Sequence, residues 1–352
     1  MEDMRKVKVC ASSDYDILIG KGLLDRSGKL IKSVKEPCRA VIVTDSNVDV
    51  LYSERLKASL ETEGFEVSKF VFSAGEKSKN SVTFIELLET LAKWEITRSD
   101  LLIALGGGVV GDMTGFAASC YLRGVDFVQI PTTLLAAVDS SVGGKTAIDL
   151  QSGKNLAGAF YQPRLVVCDT DTFKTLPEKE IACGYAEVIK YAILFDESFF
   201  HELEERKTDI ADVVEKSVIF KRDVVQRDEF DKGERMLLNL GHTLAHGIEK
   251  TSDFTVTHGE AVAQGMVIAT KISENMNLCE KGLHKRISKI LEKYNLPWAC
   301  DVSAHELYNA ALSDKKRESS NITLVLVEKI GKCILKNVNV SLLKGLFEQA
   351  LE

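Results

Sequence analysis

The chain has 352 residues, 45% of them apolar and 28% charged, and a net charge of −7, which suits one large or two medium globular domains with ample core. The acidic balance argues against a dedicated nucleic-acid binder, which would be basic, while leaving local basic pockets open. No run approaches the roughly 18 apolar residues of a membrane span, and Met1-Glu2-Asp3-Met4-Arg5 leads into no signal-peptide core, so a cytoplasmic protein without a membrane partner is expected.

Residues 1 to 172 alternate short apolar runs with helical patterns. Arg39 to Asp45 reads as a buried strand ending in Asp45, Ser46 and Asn47, and a helix pattern from Leu51 to Glu63 stops at Gly64. A second strand runs from about Phe65 to Phe72, then a polar loop through Glu76 to Lys79, then a helix from about Ser81 to Trp94. Asp100 to Leu105 is a third strand, closing on Gly106-Gly107-Gly108-Val109-Val110-Gly111-Asp112 and a helix. Such alternation predicts a mostly parallel sheet with helices on both faces. Ligands in such sheets sit outside the carboxyl ends of the strands, where Asp45, Asn47, Glu76, Lys79 and the stretch Gly106 to Asp112 all fall. Gly106, Gly108 and Gly111 also fit GxGxxG, which lets backbone approach a pyrophosphate at a helix N-terminus. The same glycines also fit a plain tight turn, and this one follows the third strand, whereas the usual fingerprint opens its fold.

Phe127 to Leu135 is a further strand carrying Thr132 and Thr133 at its end. Gly143-Gly144-Lys145-Thr146 invites a P-loop reading, but the first glycine of GxxxxGK would fall on Asp139, so that reading fails. What survives is a polar, glycine-permissive loop carrying Lys145, Lys154 and Asn155, suited to carboxylate or phosphate contacts, with Arg123 as another cation. Each of these cations taken singly could also be a solvated surface charge. The eight cysteines show no CxxC spacing and lie mostly in apolar runs; they read as small buried hydrophobes in a reducing compartment.

From Asp171 the character changes, with a boundary near 172 and a mainly helical second domain over 173–352. Pro177 with Glu178 and Glu180 opens a helix in which Glu187 and Lys190 share one face of an otherwise apolar surface. They are either an i,i+3 salt bridge at a helix edge, or a carboxylate ligand with a substrate-binding lysine beside it. Long helical patterns fill 198 to 228, carrying Lys221, and 258 to 295, with Arg235 and Asn239 between them. The segment Gly241 to Gly265 holds three of the six histidines. His242 and His246 project from one helical face, and a turn through Thr251-Ser252-Asp253 could return His258 towards them. Converging imidazoles with a carboxylate from elsewhere suit a borderline-soft divalent metal, although an isolated HxxxH pair is more often a surface or helix-end feature. Asp314-Lys315-Lys316 precedes a hairpin from Ile322 to Leu335 turning near Gly331, and a terminal helix ends the chain.

Taken together the motifs resemble the 3-dehydroquinate synthase family of sugar-phosphate cyclases. GGGVVGDMTGF, RGVDFVQIPTTLLAAVDSSVGGKTAID, GKNLAGAF, GYAEVIKYAI, LNLGHTLAHGIE and HGEAVAQGM stand in the family's order, and six such motifs in order are far more specific than one. The resemblance implies a Rossmann-like domain binding NAD, over 1–172, and a helical domain with zinc or cobalt. By motif position Glu187, His242 and His258 would be metal ligands. NAD would be held by Asp45, Asn47, Glu76, Lys79, Gly107, Gly108, Val109, Asp112, Thr132, Thr133, Asp139, Lys145 and Lys154. Substrate would meet Asp139, Lys145, Asn155, Lys190, Lys221, Arg235, Asn239, His246 and Lys315, with Lys316 as the alternative to Lys315. Lys190, His246, Asp139, Lys145 and Lys221 would handle protons or charge during catalysis. A homodimer is implied, with Arg123 reaching into the neighbour's active site.

The implied reaction converts 3-deoxy-D-arabino-heptulosonate 7-phosphate to 3-dehydroquinate and phosphate. A hydride passes to NAD and back, phosphate leaves by β-elimination, and an intramolecular aldol step closes the ring, with no net redox. A substrate bearing a carboxylate and a phosphate explains several cations in an acidic protein. Sister cyclases forming 2-deoxy-scyllo-inosose or epi-valiolone compounds share this plan but tend to lose some of those cationic and amide positions. A metal-dependent polyol dehydrogenase would need no phosphate-binding cluster, and a non-enzymatic copy would have lost a metal ligand.

Overall fold

A computed structural model of the protein describes residues 4–252, 255–312, 317–318 and 320–351. The chain separates into two compact units, Met1–Leu176 with Ile210–Phe230, and Pro177–Asp209 with Asp231–Glu352.

In the first unit the described strands are β1 (Arg5–Val9), β2 (Tyr15–Gly20), β3 (Arg39–Asp45), β4 (Glu66–Phe72), β5 (Leu101–Gly106), β6 (Asp126–Pro131), β7 (Lys145–Leu150), β8 (Gly153–Phe160) and β9 (Leu165–Asp169). Seven of them form one sheet in the order β1-β2-β9-β6-β5-β3-β4, parallel throughout except where β1 runs antiparallel to β2. The strands read as continuous apolar runs because both faces are covered. Ile42, Ile103 and Leu105 pack with Leu56 and Leu60, while Val41, Val43 and Leu102 pack with Phe84, Leu87 and Met113. Chain order reverses between β3 and β5, so Asp45 and Gly106 stand at the carboxyl ends that flank a topological switch point.

In the first unit the hairpin and one helix differ from the sequence reading. The segment read as a polar loop around Lys145 and Asn155 is the antiparallel hairpin β7–β8. Its second strand, GKNLAGAF, is half exposed and built of small residues, so it carries little strand signal. The helix Ile210–Arg227 belongs to the first unit, outside the 1–172 span expected for the first domain. It buries Val213, Val214, Val218, Val224 and Val225, packs against β1, β2 and the turn Ala136–Ser140, and pairs Asp212 and Glu215 with Arg5 at 2.5 and 2.8 Å. Helical periodicity shows that a face is buried, not which core receives it.

The second unit is mainly helical. The expected helix over 198 to 228 is two, Glu197–Glu205 in this unit and Ile210–Arg227 in the first, parted at Arg206 with φ +52°. That over 258 to 295 is also two, His258–Asn275 and Leu283–Lys293, parted by Asn277 and Gly282 at φ +55° and +90°. Strands β10 (Arg317–Glu318), β11 (Asn321–Lys329) and β12 (Lys332–Asn339) form a small antiparallel sheet with Gly331 in the turn, and the helix Val340–Leu351 follows. All eight cysteines are free, but only Cys168 and Cys183 are buried; Cys10 and Cys120 are exposed, so most are not the core residues expected. No described helix is long and apolar enough to cross a membrane.

Candidate functional site

In the second unit the helix Glu178–Phe195 carries Glu187 and Lys190, both buried and paired through Glu187 Oε2. His242 opens the helix His242–Thr251 and His258 opens the helix His258–Asn275. Their Nε2 atoms lie 3.5 and 3.2 Å from the other Glu187 oxygen, Oε1. Donor atoms of Glu187, His242 and His258 all lie within 4.8 Å of one another. His242 Nδ1 is 3.2 Å from the carbonyl oxygen of Leu240, which can only accept, so Nδ1 carries the proton and Nε2 keeps its lone pair. Two imidazole nitrogens and one carboxylate oxygen form the donor set of an open zinc- or cobalt-type site, and the residues fit such an ion. Burial opposes protonation of both rings. For His242 burial and Lys190 hold the pKa well below the ordinary histidine value, whereas for His258 the carboxylates of Glu187 and Glu249 outweigh burial and raise it.

Close helix contacts bring these three residues together. A Cβ on Gly259 would stand 2.4 Å from Cys183 Cα, so glycine is what lets the His258 helix touch the Glu187 helix one turn before Glu187. The Thr257–Glu260 capping box then fixes the first turn, with Thr257 N donating to Glu260 Oε2 at 2.7 Å. Gly259→Ala is therefore expected to destabilise the protein by about 1–3 kcal/mol through overpacking against backbone. Urea unfolding of the two proteins measures this, and an unchanged midpoint would contradict it.

His246 stands apart: it is exposed, with its ring 6.1 Å from that of His242, so only two of the three histidines enter the ligand set. Arg235 is buried, and Asn239 donates to the Met236 carbonyl at 3.0 Å within the turn Glu234–Asn239. Lys315 and Lys316 lie outside the described residues.

In the first unit a second constellation gathers at the strand ends. Lys79, almost fully buried, donates to Asp112 Oδ2 and Asn155 Oδ1, each at 2.6 Å. Asn155, at φ +54°, donates its backbone N–H to Asp149 Oδ1 at 2.7 Å, and Asp149 donates its own to the Lys79 carbonyl at 2.8 Å. Burial raises the Asp112 pKa against the pull of Lys79; burial lowers that of Lys79, but Asp112 and Glu76 more than restore it. Lys221 holds Asp139 twice, at its carbonyl and at Oδ1, both 2.7 Å. Asp45 caps the next turn, accepting from Asn47 N at 2.8 Å and Val48 N at 3.1 Å.

The glycine loop lies where expected, with Gly107 as the cap of the helix Gly108–Cys120 and Val109 in its first turn. Its glycines sit in tight places: a Cβ on Gly107 would come within 3.1 Å of Thr133 Cγ2, and one on Gly108 within 3.2 Å of Ser140 Oγ, so either side chain would have to give way slightly. Thr132, at the end of β6, is buried, and its hydroxyl has no hydrogen-bond partner among the described residues, as suits a strand-end position awaiting a polar ligand. Glu76, Lys145 and Asn47 are exposed and Lys154 half-buried. Arg123 is exposed on a strained loop, with φ +49°, +66° and +130° at Leu122, Arg123 and Gly124. Sequence reasoning missed Asp149, inside a quoted motif, and Glu249, two helical turns beyond His242 on the same face.

Fold and donor set together define a two-unit α/β protein with a dinucleotide-type sheet and a metal-type helical cluster. Residues 69–183 match the description "3-dehydroquinate synthase N-terminal" and residues 184–317 match "3-dehydroquinate synthase C-terminal". A 3-dehydroquinate synthase of Clostridium botulinum (strain Alaska E43 / Type E3) is 45% identical over 338 residues, covering 94% of this chain and 97% of that protein. Among solved structures, a 2-deoxy-scyllo-inosose synthase complexed with carbaglucose-6-phosphate, NAD+ and Co2+ superposes with TM-score 0.86 at 25% identity, covering 98% of this chain and all of that one. The 2-epi-5-epi-valiolone synthase of Streptomyces hygroscopicus subsp. jinggangensis 5008, with NAD+ and Zn2+, gives TM-score 0.87 at 25% identity, covering 98% and 99%. The chain belongs to the 3-dehydroquinate synthase family.

Proposed function

We infer that the chain is a 3-dehydroquinate synthase: a phosphate lyase that turns 3-deoxy-D-arabino-heptulosonate 7-phosphate into 3-dehydroquinate, in the biosynthesis of aromatic amino acids, with NAD and zinc or cobalt as cofactors. The observation that carries this is the family match over residues 69–317 combined with an intact Glu187–His242–His258 donor set. When bound, NAD takes and returns a hydride and the divalent ion draws electron density from the hydroxyl being oxidised.

The chain's own residues do the rest. Glu187, His242 and His258 would hold the ion, with Lys190 balancing the buried carboxylate. Asp45, Asn47, Glu76, Lys79, Gly107, Gly108, Val109, Asp112, Thr132, Thr133, Asp139, Lys145 and Lys154 would bind NAD. Lys145, Asn155, Lys190, Lys221, Arg235, Asn239, His246 and one of Lys315 and Lys316 would bind the substrate's carboxylate, phosphate and hydroxyls. His246, exposed beside the ligand set, is suited to proton or phosphate handling, whereas Lys221 serves first to fix Asp139. The eight free thiols fit a cytoplasmic location.

A sister-cyclase activity is the competing reading, because two of the solved relatives are a 2-deoxy-scyllo-inosose synthase and a 2-epi-5-epi-valiolone synthase. Phosphate release from the heptulosonate phosphate, sedoheptulose 7-phosphate and glucose 6-phosphate separates them. Release from the first alone supports the synthase, and release from either of the others alone overturns it.

We further propose a homodimer in which Arg123 serves the neighbouring copy, as its exposed and strained loop suits. Arg123→Ala and Glu187→Gln should each be inactive, while a mixed dimer of the two restores one complete site. Activity that fails to return on mixing, with mixed dimers present, would refute a role in trans.

A further inference from the structure

Glu249 lies seven residues beyond His242 on one helix and is 3% exposed. Its Oε2 stands 3.7 Å from His258 Nδ1, within ion-pair range, while Glu187 Oε1 stands 3.2 Å from Nε2 of the same ring. The His258 imidazole therefore sits between two buried carboxylates, one facing each nitrogen. His242 is oriented otherwise, by the neutral carbonyl of Leu240. A buried carboxylate is costly unless its surroundings compensate it, and the one at position 249 is aimed at the rear of a candidate metal ligand.

We propose that Glu249 is the positioning residue of His258, an inference that rests on the metal-site reading above. The Glu249 carboxylate keeps the proton on Nδ1 and turns the Nε2 lone pair towards Glu187 and His242. Because a main-chain carbonyl orients His242, Glu249 is the orienting group that substitution can remove.

Co2+ titration of the full chain tests this, read by the ligand-field absorption of the bound ion and by competition with a chelator. Glu249→Gln keeps the shape and an acceptor, so its Co2+ dissociation constant should rise about tenfold with the band shape kept. Glu249→Leu should raise it about a hundredfold and alter the band. At saturating Co2+ the turnover of Glu249→Gln should return close to wild type, which a role in folding alone would not produce. A wild-type chain that shows the Co2+ band, with a dissociation constant that neither substitution changes, would overturn this inference alone. A wild-type chain with no Co2+ band would overturn the metal-site reading and this inference with it. Should Glu249→Leu fail to fold, the isosteric glutamine variant still decides the matter.

Discussion

Glu187→Gln is expected to lower turnover by about a thousandfold, equivalent to about 4 kcal/mol, and to release the divalent ion. The side chain is fully buried, and it meets Lys190 at one oxygen and both imidazole Nε2 atoms at the other. Glutamine fills the same volume but removes the negative charge that both the ion and Lys190 require. Lys190, 2% exposed, would then sit beside two imidazoles without that anion. Breaking such a buried pair from one side costs about 3–5 kcal/mol, so stability should fall together with activity. Metal content after dialysis, turnover and urea unfolding of one preparation give all three quantities. Wild-type metal content in the variant would show that Glu187 is not a ligand.

Lys79→Met should destabilise the first unit and weaken NAD binding. Lys79 joins Asp112 on the helix after β5 to Asn155 on β8, tying the glycine loop to the hairpin. Without the lysine, Asp112 keeps a largely covered carboxylate that has lost its hydrogen-bonded ammonium and retains only the charge of Lys221, and about 3 kcal/mol is the expected scale of loss at neutral pH. The pH dependence has a definite sign. Burial already raises the Asp112 pKa in the folded protein, and losing Lys79 raises it further. A carboxyl whose folded pKa lies above its unfolded value, about 4, favours folding below that value and loses this contribution as the pH rises through the folded pKa. The stability gap between variant and wild type should therefore narrow as the pH falls towards 4. A gap that stays constant or widens on acidification would mean that Asp112 does not carry the effect.

Much of this was legible in the chain itself. Strands buried on both faces announce themselves as apolar runs, and their polar ends place Asp45, Lys79 and Gly106 at the ligand edge of the sheet. The charged pair Glu187 and Lys190 stood out because a buried apolar helix face does not carry charge without a purpose. Other features carry no local signal. The hairpin β7–β8 depends on pairing between a strand and small half-exposed residues. That the helix Ile210–Arg227 packs with the first unit is settled by tertiary contacts, not by its periodicity. The spacing of His242 and His246 suggested a shared role, but the approach of Gly259 to Cys183 selects His258 as the partner and leaves His246 exposed. Glu249 was hidden because a glutamate two turns along a helix looks like any other until its burial is known.

The most direct test is the stoichiometry of phosphate release from 3-deoxy-D-arabino-heptulosonate 7-phosphate at trace NAD, with Zn2+ or Co2+ present and NADH absorbance followed in the same cuvette. Phosphate should exceed NAD many times over with no accumulation of NADH, stop on addition of a chelator, and resume when the metal is returned. NADH rising in step with turnover would contradict a lyase that borrows its hydride and gives it back, and would make the protein a dehydrogenase.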